Sequence, residues 1–404
     1  MKTVKHLLLL LTIFTTFQTQ AQTGTSWIIQ ASAADNSWRS ISYGNGTFVA
    51  VSDDGTGNRV MTSTNGITWS TRTPANDNEC YSVAFGNGLF VAVAISGTGN
   101  RVMTSPDGIT WTNRISAADN YWVAVTYGNG LFVAVAATGI GNRVMTSPDG
   151  INWTIRNSSS DRIWLSVTYG NGLFVAVSSD TAGNTVMTSP DGIIWTNRSP
   201  ASNNTWRSVT YGNGLFVAVA GSGNTSKVMT SPNGLTWTSR TPPLNYPWRS
   251  VTYGNGLFVA VGSLGMGNIM TSPDGINWTI TSASASNEWS SITYGNGMFI
   301  AVAVTGSGNR VMTSGNILGL STYEHTFSSK LSVYPNPSQN IFTVTTDKGL
   351  AVKVYDMSGK IIVSKNLVSG NNKLDMSNSV DGVYLMNVTN ENNQSKIIRI
   401  LKHK

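Results

Sequence analysis

Arginines, carboxylates and tryptophans recur along this chain at nearly constant spacing, and side chains of these types can bind or transform a ligand. A pair of carboxyl groups catalyses glycoside hydrolysis, arginines grip carboxylates through paired hydrogen bonds, and tryptophan rings stack on flat ligands. Four carboxylates occupy one repeated phrase, Ser-Pro-Asp-Gly-x-x-Trp; they are Asp107, Asp149, Asp191 and Asp274. An acidic side chain before glycine caps a turn by bonding nearby backbone. We therefore predict that these four aspartates are structural turn residues.

The elements that must position these side chains repeat with the same period. Seven copies of Tyr-Gly-Asn-Gly, with Phe in place of Tyr in the second, start 42 or 41 residues apart; their first residues are Tyr43, Phe85, Tyr127, Tyr169, Tyr211, Tyr253 and Tyr294. Each unit contains strand-like runs separated by Asn-Gly and by Pro-Asp-Gly or a close variant, both of which favour tight turns. Four short strands per unit of about 40 residues are typical of a β-propeller blade. The repeat region is therefore predicted to form a seven-bladed β-propeller.

The two ends of the repeat region indicate how the ring closes. The seventh unit ends without a fourth, tryptophan-bearing run, whereas Thr-Ser-Trp-Ile-Ile-Gln near the start places Trp27 42 residues before Trp69. We expect this N-terminal run to pair as the outer strand of the last blade, because the pairing leaves no open sheet edge there.

The phrase Ser-x-Asp-Gly-x-x-Trp, at the turn between third and fourth strands, resembles the Asp-box of the sialidase-like β-propellers over residues 25–316. It lacks one residue between Asp and Gly, and Asn replaces Asp at Asn65 and Asn233. The resemblance implies a structural turn whose tryptophan packs between blades.

Sialidase catalysis is not expected to accompany this resemblance. Those enzymes place an arginine cluster, a tyrosine nucleophile and an acidic aspartate at unique positions, whereas here four arginines share one repeat position: Arg59, Arg101, Arg143 and Arg310. The repeat region also contains no histidine, the commonest general base and metal ligand. Other carboxylates are interpreted as loop charges: Asp53, Asp54, Asp161 and Asp180. We predict no catalysis, no metal and no cofactor; a glycoside hydrolase or lyase is the alternative.

Ligand contacts are predicted near the start of each first strand, on the face whose loops vary between repeats. Six tryptophans stand there and offer sugar-stacking platforms, with packing between blades as the alternative: Trp38, Trp122, Trp164, Trp206, Trp248 and Trp289. The next position varies between repeats, and three arginines there are candidate polar contacts: Arg39, Arg207 and Arg249.

The chain outside the repeats predicts export. Residues 1–21 have two lysines, a short apolar run and a small-residue cleavage pattern, as in a signal peptide. The propeller is assigned to residues 22–316 and a linker to residues 317–330. Residues 331–404 read as a small β-sandwich, so that the fold is all-β: a seven-bladed β-propeller closed by an N-terminal strand and followed by that sandwich.

The C-terminal segment resembles the sorting domain of the type IX secretion system. The motifs are Tyr334-Pro335-Asn336-Pro337, Asp356 to Gly359, Gly382-Val383-Tyr384 and a basic end from Lys396 to Lys404. The resemblance implies that residues 331–404 engage the type IX secretion machinery and that the protein is secreted or displayed on the outer-membrane surface. An accessory β-sandwich is the alternative interpretation.

Charge and hydropathy exclude two classes of partner. Residues 22–316 hold 14 Lys or Arg against 13 Asp or Glu, so the repeat region lacks the basic surface of a nucleic-acid binder. No segment has the roughly 20 apolar residues of a transmembrane helix. We expect a secreted or cell-surface binding or adhesion protein with a glycan or protein ligand. The alternatives are the enzyme above and a structural surface-coat component.

Overall fold

The computed structural model describes residues 24, 26–181, 183–263, 269–314, 331–356, 360–389 and 395–403. All regular elements within these residues are β-strands. The chain divides into two compact units, Met1–Asn316 and Ile317–Lys404. The predicted signal peptide and linker lie outside the described residues.

The strands of the first unit follow the repeat. The first sixteen strands are β1 (Ile28–Gln30), β2 (Trp38–Gly44), β3 (Thr47–Ser52), β4 (Val60–Ser63), β5 (Ser70–Arg72), β6 (Cys80–Gly86), β7 (Leu89–Ala94), β8 (Val102–Ser105), β9 (Thr112–Arg114), β10 (Trp122–Gly128), β11 (Leu131–Ala136), β12 (Val144–Ser147), β13 (Thr154–Arg156), β14 (Trp164–Gly170), β15 (Leu173–Ser178) and β16 (Val186–Ser189). The next twelve are β17 (Thr196–Arg198), β18 (Thr205–Gly212), β19 (Leu215–Ser222), β20 (Val228–Ser231), β21 (Thr238–Arg240), β22 (Trp248–Gly254), β23 (Leu257–Gly262), β24 (Ile269–Ser272), β25 (Thr279–Thr281), β26 (Trp289–Gly295), β27 (Met298–Ala303) and β28 (Val311–Ser314).

These strands form seven four-stranded antiparallel sheets. Sheets 1 to 6 are the consecutive groups β2–β5, β6–β9, β10–β13, β14–β17, β18–β21 and β22–β25, and sheet 7 has the order β1-β28-β27-β26. The first strand of each sheet packs against that of the next, and β26 returns to β2, so the sheets form a closed ring. This is the architecture of a β-propeller.

Repeated local sequence explains each sheet. The Asn-Gly pair makes the first hairpin turn, with φ of 47° at Asn45 and 75° at Gly46, as a type I′ turn requires. The second strand, Leu-Phe-Val-Ala-Val in most repeats, is buried on both faces because each sheet lies between two neighbours. A continuous apolar run in place of an alternating one is the expected signature of such a strand.

Neighbouring sheets interlock through glycine. A methyl group at Gly86 would lie within 2.1 Å of the Tyr127 ring, and one at Gly295 would overlap the Tyr43 ring across the closure between sheets 7 and 1. The first glycine of each Tyr-Gly-Asn-Gly motif therefore leaves the space that is filled by the Tyr or Phe ring of the same motif in the next sheet.

The N-terminal strand completes sheet 7. Ile28 pairs with Thr313 and Gln30 with Val311, and the backbone N–H of Gly24 donates to Ser314 Oγ at 2.8 Å. Trp27 is buried in the core of this sheet. The predicted closure by an N-terminal strand is thus observed in the structure.

The second unit has two antiparallel sheets. Its strands are β29 (Leu331–Tyr334), β30 (Ile341–Thr346), β31 (Leu350–Tyr355), β32 (Ile361–Leu367), β33 (Gly370–Asp375), β34 (Gly382–Thr389) and β35 (Ser395–Lys402). One sheet has the order β29-β30-β33 and the other β32-β31-β34-β35. Alternate residues bury a core that includes Phe342, Val352 and Met386, which gives a β-sandwich.

Candidate functional site

The residue directly after the first-strand tryptophan, or after Cys80 in sheet 2, belongs to a β-bulge. In sheet 1, Trp38 pairs with Ser52 and Ser40 with Val51, so that Arg39 has no partner of its own. The register shifts at the equivalent place in the other six sheets. A bulge bends its strand and redirects a side chain.

The seven bulge residues line one cavity of about 130 Å³, here called the axial cavity. They are Arg39, Tyr81, Val123, Leu165, Arg207, Arg249 and Ser290. The start of each first strand pairs with the end of the second strand of the same sheet. The cavity therefore lies at one end of the ring, where the loops from second to third strands and the loops between sheets are also found. We call that end the loop face. The opposite end, with the Asn-Gly and Asp-Gly turns, is the turn face.

Arg39 has a close counterion on the loop that follows β3 of its own sheet. Its Nε lies 2.7 Å from Oδ2 of Asp53, and its guanidinium stands 5.1 Å from the centre of the Tyr81 ring. Both side chains of the ion pair are largely buried, which strengthens their attraction relative to an exposed pair. The positive charge of Arg39 is therefore matched within the protein.

Arg249 has a looser ion pair. Its Nη2 lies 3.7 Å from Oε2 of Glu288, and the side chains are 35% and 40% exposed. An exposed pair at this distance contributes at most about 1 kcal/mol. Arg249 can therefore exchange this partner for an incoming anion.

Arg207 differs from both. Within the described part of the chain no carboxylate lies within 4.0 Å of its guanidinium, and its Nε is buried without a hydrogen-bond partner. Its stem passes over Gly221, where a methyl group would lie 3.0 Å from Nε. Burial, and then repulsion from Arg249, lower the pKa of Arg207. Arg207 is thus a partly desolvated cation.

The structure brings all three candidate arginines together at the axial cavity. Four other lining residues, Tyr81, Val123, Leu165 and Ser290, share the repeat position of these arginines but were not singled out as contacts. They can be recognised in the sequence because each directly follows the first-strand tryptophan, or Cys80 in sheet 2.

The six candidate tryptophans lie elsewhere. Each has 0% exposure, and in five of them Nε1 donates to a carbonyl four residues earlier, as from Trp122 to Ala118 at 2.9 Å. Trp248 Nε1 has no hydrogen-bond partner among the described residues. These rings pack between sheets, and this burial corrects the interpretation of them as stacking platforms. The correction applies to all six candidates: Trp38, Trp122, Trp164, Trp206, Trp248 and Trp289.

The repeated arginines fasten the loop face. Arg101 donates from Nε to the Gly97 carbonyl at 2.8 Å and from Nη1 to the Ile95 carbonyl at 2.7 Å, which closes the second-to-third-strand loop. Asp119, on the following inter-sheet loop, accepts the Gly99 N–H at 2.7 Å. The same contacts recur at Arg59, Arg143 and Arg310. These residues hold loops in place.

The carboxylates weighed as catalytic candidates are also engaged locally. Asp161 accepts the Gly141 N–H at 2.7 Å, Asp180 the Ile163 N–H at 2.8 Å and Asp54 the Ser37 N–H at 2.5 Å. Within the residues that the structure describes, no group of three or more His, Cys, Asp or Glu side chains is arranged to hold a metal ion.

The predicted turn aspartates bond to backbone. Asp107 Oδ1 accepts the N–H groups of Ile109 and Thr110 at 2.8 and 2.9 Å, and Trp111 Nε1 donates to the Gly108 carbonyl. Backbone hydrogen bonds, that of Thr110 first, lower the pKa of Asp107. Equivalent contacts occur at Asp149, Asp191 and Asp274. Asn65 makes the same two backbone contacts with its amide oxygen.

The motifs of the second unit join its first strand to its last. Asn336 donates to the Arg399 carbonyl and accepts the Leu401 N–H, both at 2.9 Å. Tyr384 donates to the Val380 carbonyl at 2.6 Å, and the buried Lys402 pairs with Asp381 at 3.0 Å. Part of the motif around Asp356 lies outside the described residues.

Residues 332–402 match the family described as Secretion system C-terminal sorting domain. This match identifies the second unit as a type IX sorting domain and indicates export and a location at the cell surface. Comparison with curated protein sequences finds no match. No helix that could span a membrane occurs among the described residues.

Solved structures similar to this chain are β-propellers. The structure described as YCF48 bound to D1 peptide has 16% identity and a TM-score of 0.56, covering 73% of this chain and 96% of its own. PorZ, a surface component of the type-IX secretion system of Porphyromonas gingivalis, has 14% identity and a TM-score of 0.51, covering 91% of this chain and 60% of its own. Virginiamycin B lyase from Staphylococcus aureus has 12% identity and a TM-score of 0.61, covering 72% and 97%. At these identities the likeness shows the fold alone. The chain is a secreted β-propeller protein with a C-terminal sorting domain.

Proposed function

We propose that this protein is a non-catalytic binding protein of the cell surface, which takes an extracellular protein or glycan ligand on its loop face. The axial cavity carries the proposal. Seven sheets that repeat nearly the same turns and core present five different side-chain types at this one ring of positions. A scaffold that is uniform elsewhere and varied around one concave site is suited to recognition.

Binding rather than catalysis is favoured by how the polar side chains are used. Asp53 pairs with Arg39, whereas Asp161 and Asp180 hold backbone N–H groups of loops. A general acid or base must instead be free to reach a substrate. The charged side chains of the cavity that remain available are Arg207 and Arg249, and guanidinium groups attract an anion but do not accept protons at neutral pH.

Two of the similar propellers fit this role. The YCF48 structure is described with a bound peptide, and PorZ is described as a bacterial surface component. We extend the same kind of macromolecular recognition to this chain.

A face-blocking experiment tests the proposal with two cysteine variants in sheet 3. Ile140 lies on a loop of the loop face and is 91% exposed, whereas Ile151 lies beside a turn of the turn face and is 40% exposed. Ile140→Cys and Ile151→Cys in residues 22–404 would each be coupled to a polyethylene glycol maleimide. Burial raises the pKa of the native Cys80 to about 12, so this thiol does not compete.

Both labelled proteins and the unlabelled parent would be screened on arrays of glycans and of extracellular proteins. We expect saturable binding that the label at position 140 abolishes and the label at position 151 spares. Loss with both labels, or turnover of a bound polysaccharide, contradicts the proposal. A folded parent that binds nothing on either array favours a coat component.

A further inference from the structure

The axial cavity has two chemically distinct arcs. In ring order, sheets 3 and 4 contribute Val123 and Leu165, which form an apolar arc next to Tyr81 of sheet 2. Sheets 5 and 6 contribute Arg207 and Arg249, which form a cationic arc beside it. A ligand that fills the cavity meets hydrocarbon on one side and guanidinium groups on the other.

The cationic arc lacks matching negative charge. Arg39 is neutralised by Asp53 at 2.7 Å, but Arg249 has only the half-exposed Glu288 at 3.7 Å. Arg207 has no carboxylate within ion-pairing distance in the described part of the chain, and its buried Nε makes no hydrogen bond. Two cations this close repel each other, and burial raises the cost of the unpaired one. An anion bound between them relieves both effects.

The apolar arc selects among anions. A sugar acid would place hydroxyl groups against Val123 and Leu165, where they find no hydrogen-bond partner, and burying an unpaired hydroxyl costs free energy. A short aliphatic group gains by the same contact. The cavity of about 130 Å³ is also below the roughly 300 Å³ of pockets that hold drug-sized molecules. It therefore suits one small terminal group.

We infer that the axial cavity binds a carboxylate carried on a short aliphatic group, with the carboxylate at Arg207 and Arg249 and the aliphatic part at Val123 and Leu165. This inference rests on the proposed binding function and specifies its ligand. The same chemistry is offered by the free carboxyl end of a peptide with an aliphatic last residue and by a free branched-chain acid.

Four probes test the inference by isothermal titration calorimetry on residues 22–404. Acetyl-Gly-Gly-Leu has the free carboxylate, and acetyl-Gly-Gly-Leu-amide lacks it. The acid 4-methylpentanoate has the same end without a peptide, and galacturonate offers a carboxylate on a sugar. We expect the first to bind at least about tenfold more tightly than its amide, because hydrogen bonds to charged groups are the strong ones. Tighter binding of the tripeptide than of 4-methylpentanoate assigns a peptide source; equal binding assigns the free acid.

Matched variants show whether the cavity is responsible. Arg207→Gln removes a cavity charge from the first strand of sheet 5, and Arg240→Gln removes an outer charge from the fourth strand of the same sheet. Arg207→Gln is expected to weaken binding of acetyl-Gly-Gly-Leu at least about tenfold and Arg240→Gln to leave it unchanged. Leu165→Asn is expected to weaken binding of acetyl-Gly-Gly-Leu. It should leave unchanged the binding of acetate, an additional probe that has a carboxylate without the branched chain. Thermal melts of all variants report whether they are folded.

The inference is overturned if the amide binds as well as the acid, if galacturonate binds more tightly than both aliphatic acids, or if Arg207→Gln binds like the parent. Its failure is distinct from failure of the proposed function. A protein that passes the face-blocking test but shows no dependence on Arg207 remains a loop-face binding protein with a ligand of another class.

Discussion

Gly221 leaves the space through which the Arg207 side chain runs: a methyl group on Gly221 would lie 3.0 Å from Nε and 3.1 Å from Cγ of Arg207. Both residues belong to sheet 5, on the adjacent strands β18 and β19. The position of one cavity cation thus depends on the missing side chain of its neighbour.

Gly221→Ala is predicted to displace Arg207 and weaken binding of acetyl-Gly-Gly-Leu about tenfold. The strand should not lose stability, because alanine restricts the unfolded chain more than glycine does. Calorimetric titration and thermal melting measure the two effects. In the double variant with Arg207→Gln, no further loss is expected, because both changes remove one interaction. Additive losses would show that Gly221 acts independently of Arg207.

Ala124→Ser is predicted to stabilise the propeller by about 1 kcal/mol, since a new buried hydrogen bond contributes about that much. In six of the seven sheets a serine of the first strand accepts a backbone N–H from the next sheet, as Ser82 does from Val125 at 3.1 Å. The equivalent position in sheet 3 is Ala124, which faces Val167 of sheet 4. Guanidinium unfolding measures the change.

The reciprocal variant Ser82→Ala provides the control for this pair. It should lose a comparable amount of stability, because the Val125 N–H is left without its acceptor. A neutral result for both variants would contradict this account, because water would then satisfy these N–H groups as well as a serine hydroxyl does.

The Asp-box turns are predicted to make stability sensitive to acid. The pKa of Asp107 and of Asp191 is lowered by backbone hydrogen bonds, in each case first from the residue three positions later. A carboxyl whose folded pKa lies below its unfolded value of about 3.8 stabilises the fold above that pH. This stabilisation is lost as the pH falls through the lower folded value. In the double variant Asp107→Asn with Asp191→Asn, the guanidinium midpoint should vary less with pH between pH 5 and about 2. At pH 7 the midpoint should change little.

Asp149→Asn serves as the contrasting variant. Oδ2 of Asp149 also accepts a hydrogen bond from Nδ2 of Asn152 at 2.8 Å. In Asp149→Asn, the amide nitrogen of the new side chain would face this donor if the amide oxygen kept the backbone contacts, so that one set of contacts is lost. We expect Asp149→Asn to lower stability at pH 7 by about 1 kcal/mol. Equal tolerance of the change at positions 107 and 149 would contradict this account.

Trp27→Ala is predicted to destabilise the first unit by about 3 kcal/mol or more, as large aromatic truncations in cores do. Trp27 on the N-terminal strand is 7% exposed, and its equivalent Trp69 within sheet 1 is 8% exposed. Trp69→Ala should therefore cost a similar amount in guanidinium unfolding. A much smaller cost at Trp27 would indicate that sheet 7 is stable without its outer strand.

The repeat predicted the sheets well because its turn residues act locally. Asn45 and Gly46 adopt the positive φ angles that their type favours, and the Asp-box contacts span only three residues. The bulge at Arg39 was not foreseeable, since two-against-one pairing leaves no trace in the pattern Trp-Arg-Ser-Ile-Ser. Burial of the tryptophans depends on the neighbouring sheet, and the Glu288 contact of Arg249 crosses between sheets. Such properties arise from tertiary packing and not from local sequence.

Closure by the N-terminal strand has a consequence for the order of folding. The strand that contains Ile28 pairs with Thr313, a partner 285 positions further along the chain, whereas every other pairing in the ring joins consecutive strands. Contacts of such high sequence separation form slowly because a long loop must first be closed. During biosynthesis the early sheets can assemble while the ring stays open. The N-terminal strand β1 cannot pair until β28 has been made. In a chain that lacks residues 311–314, the N-terminal strand β1 is therefore expected to have no partner in sheet 7.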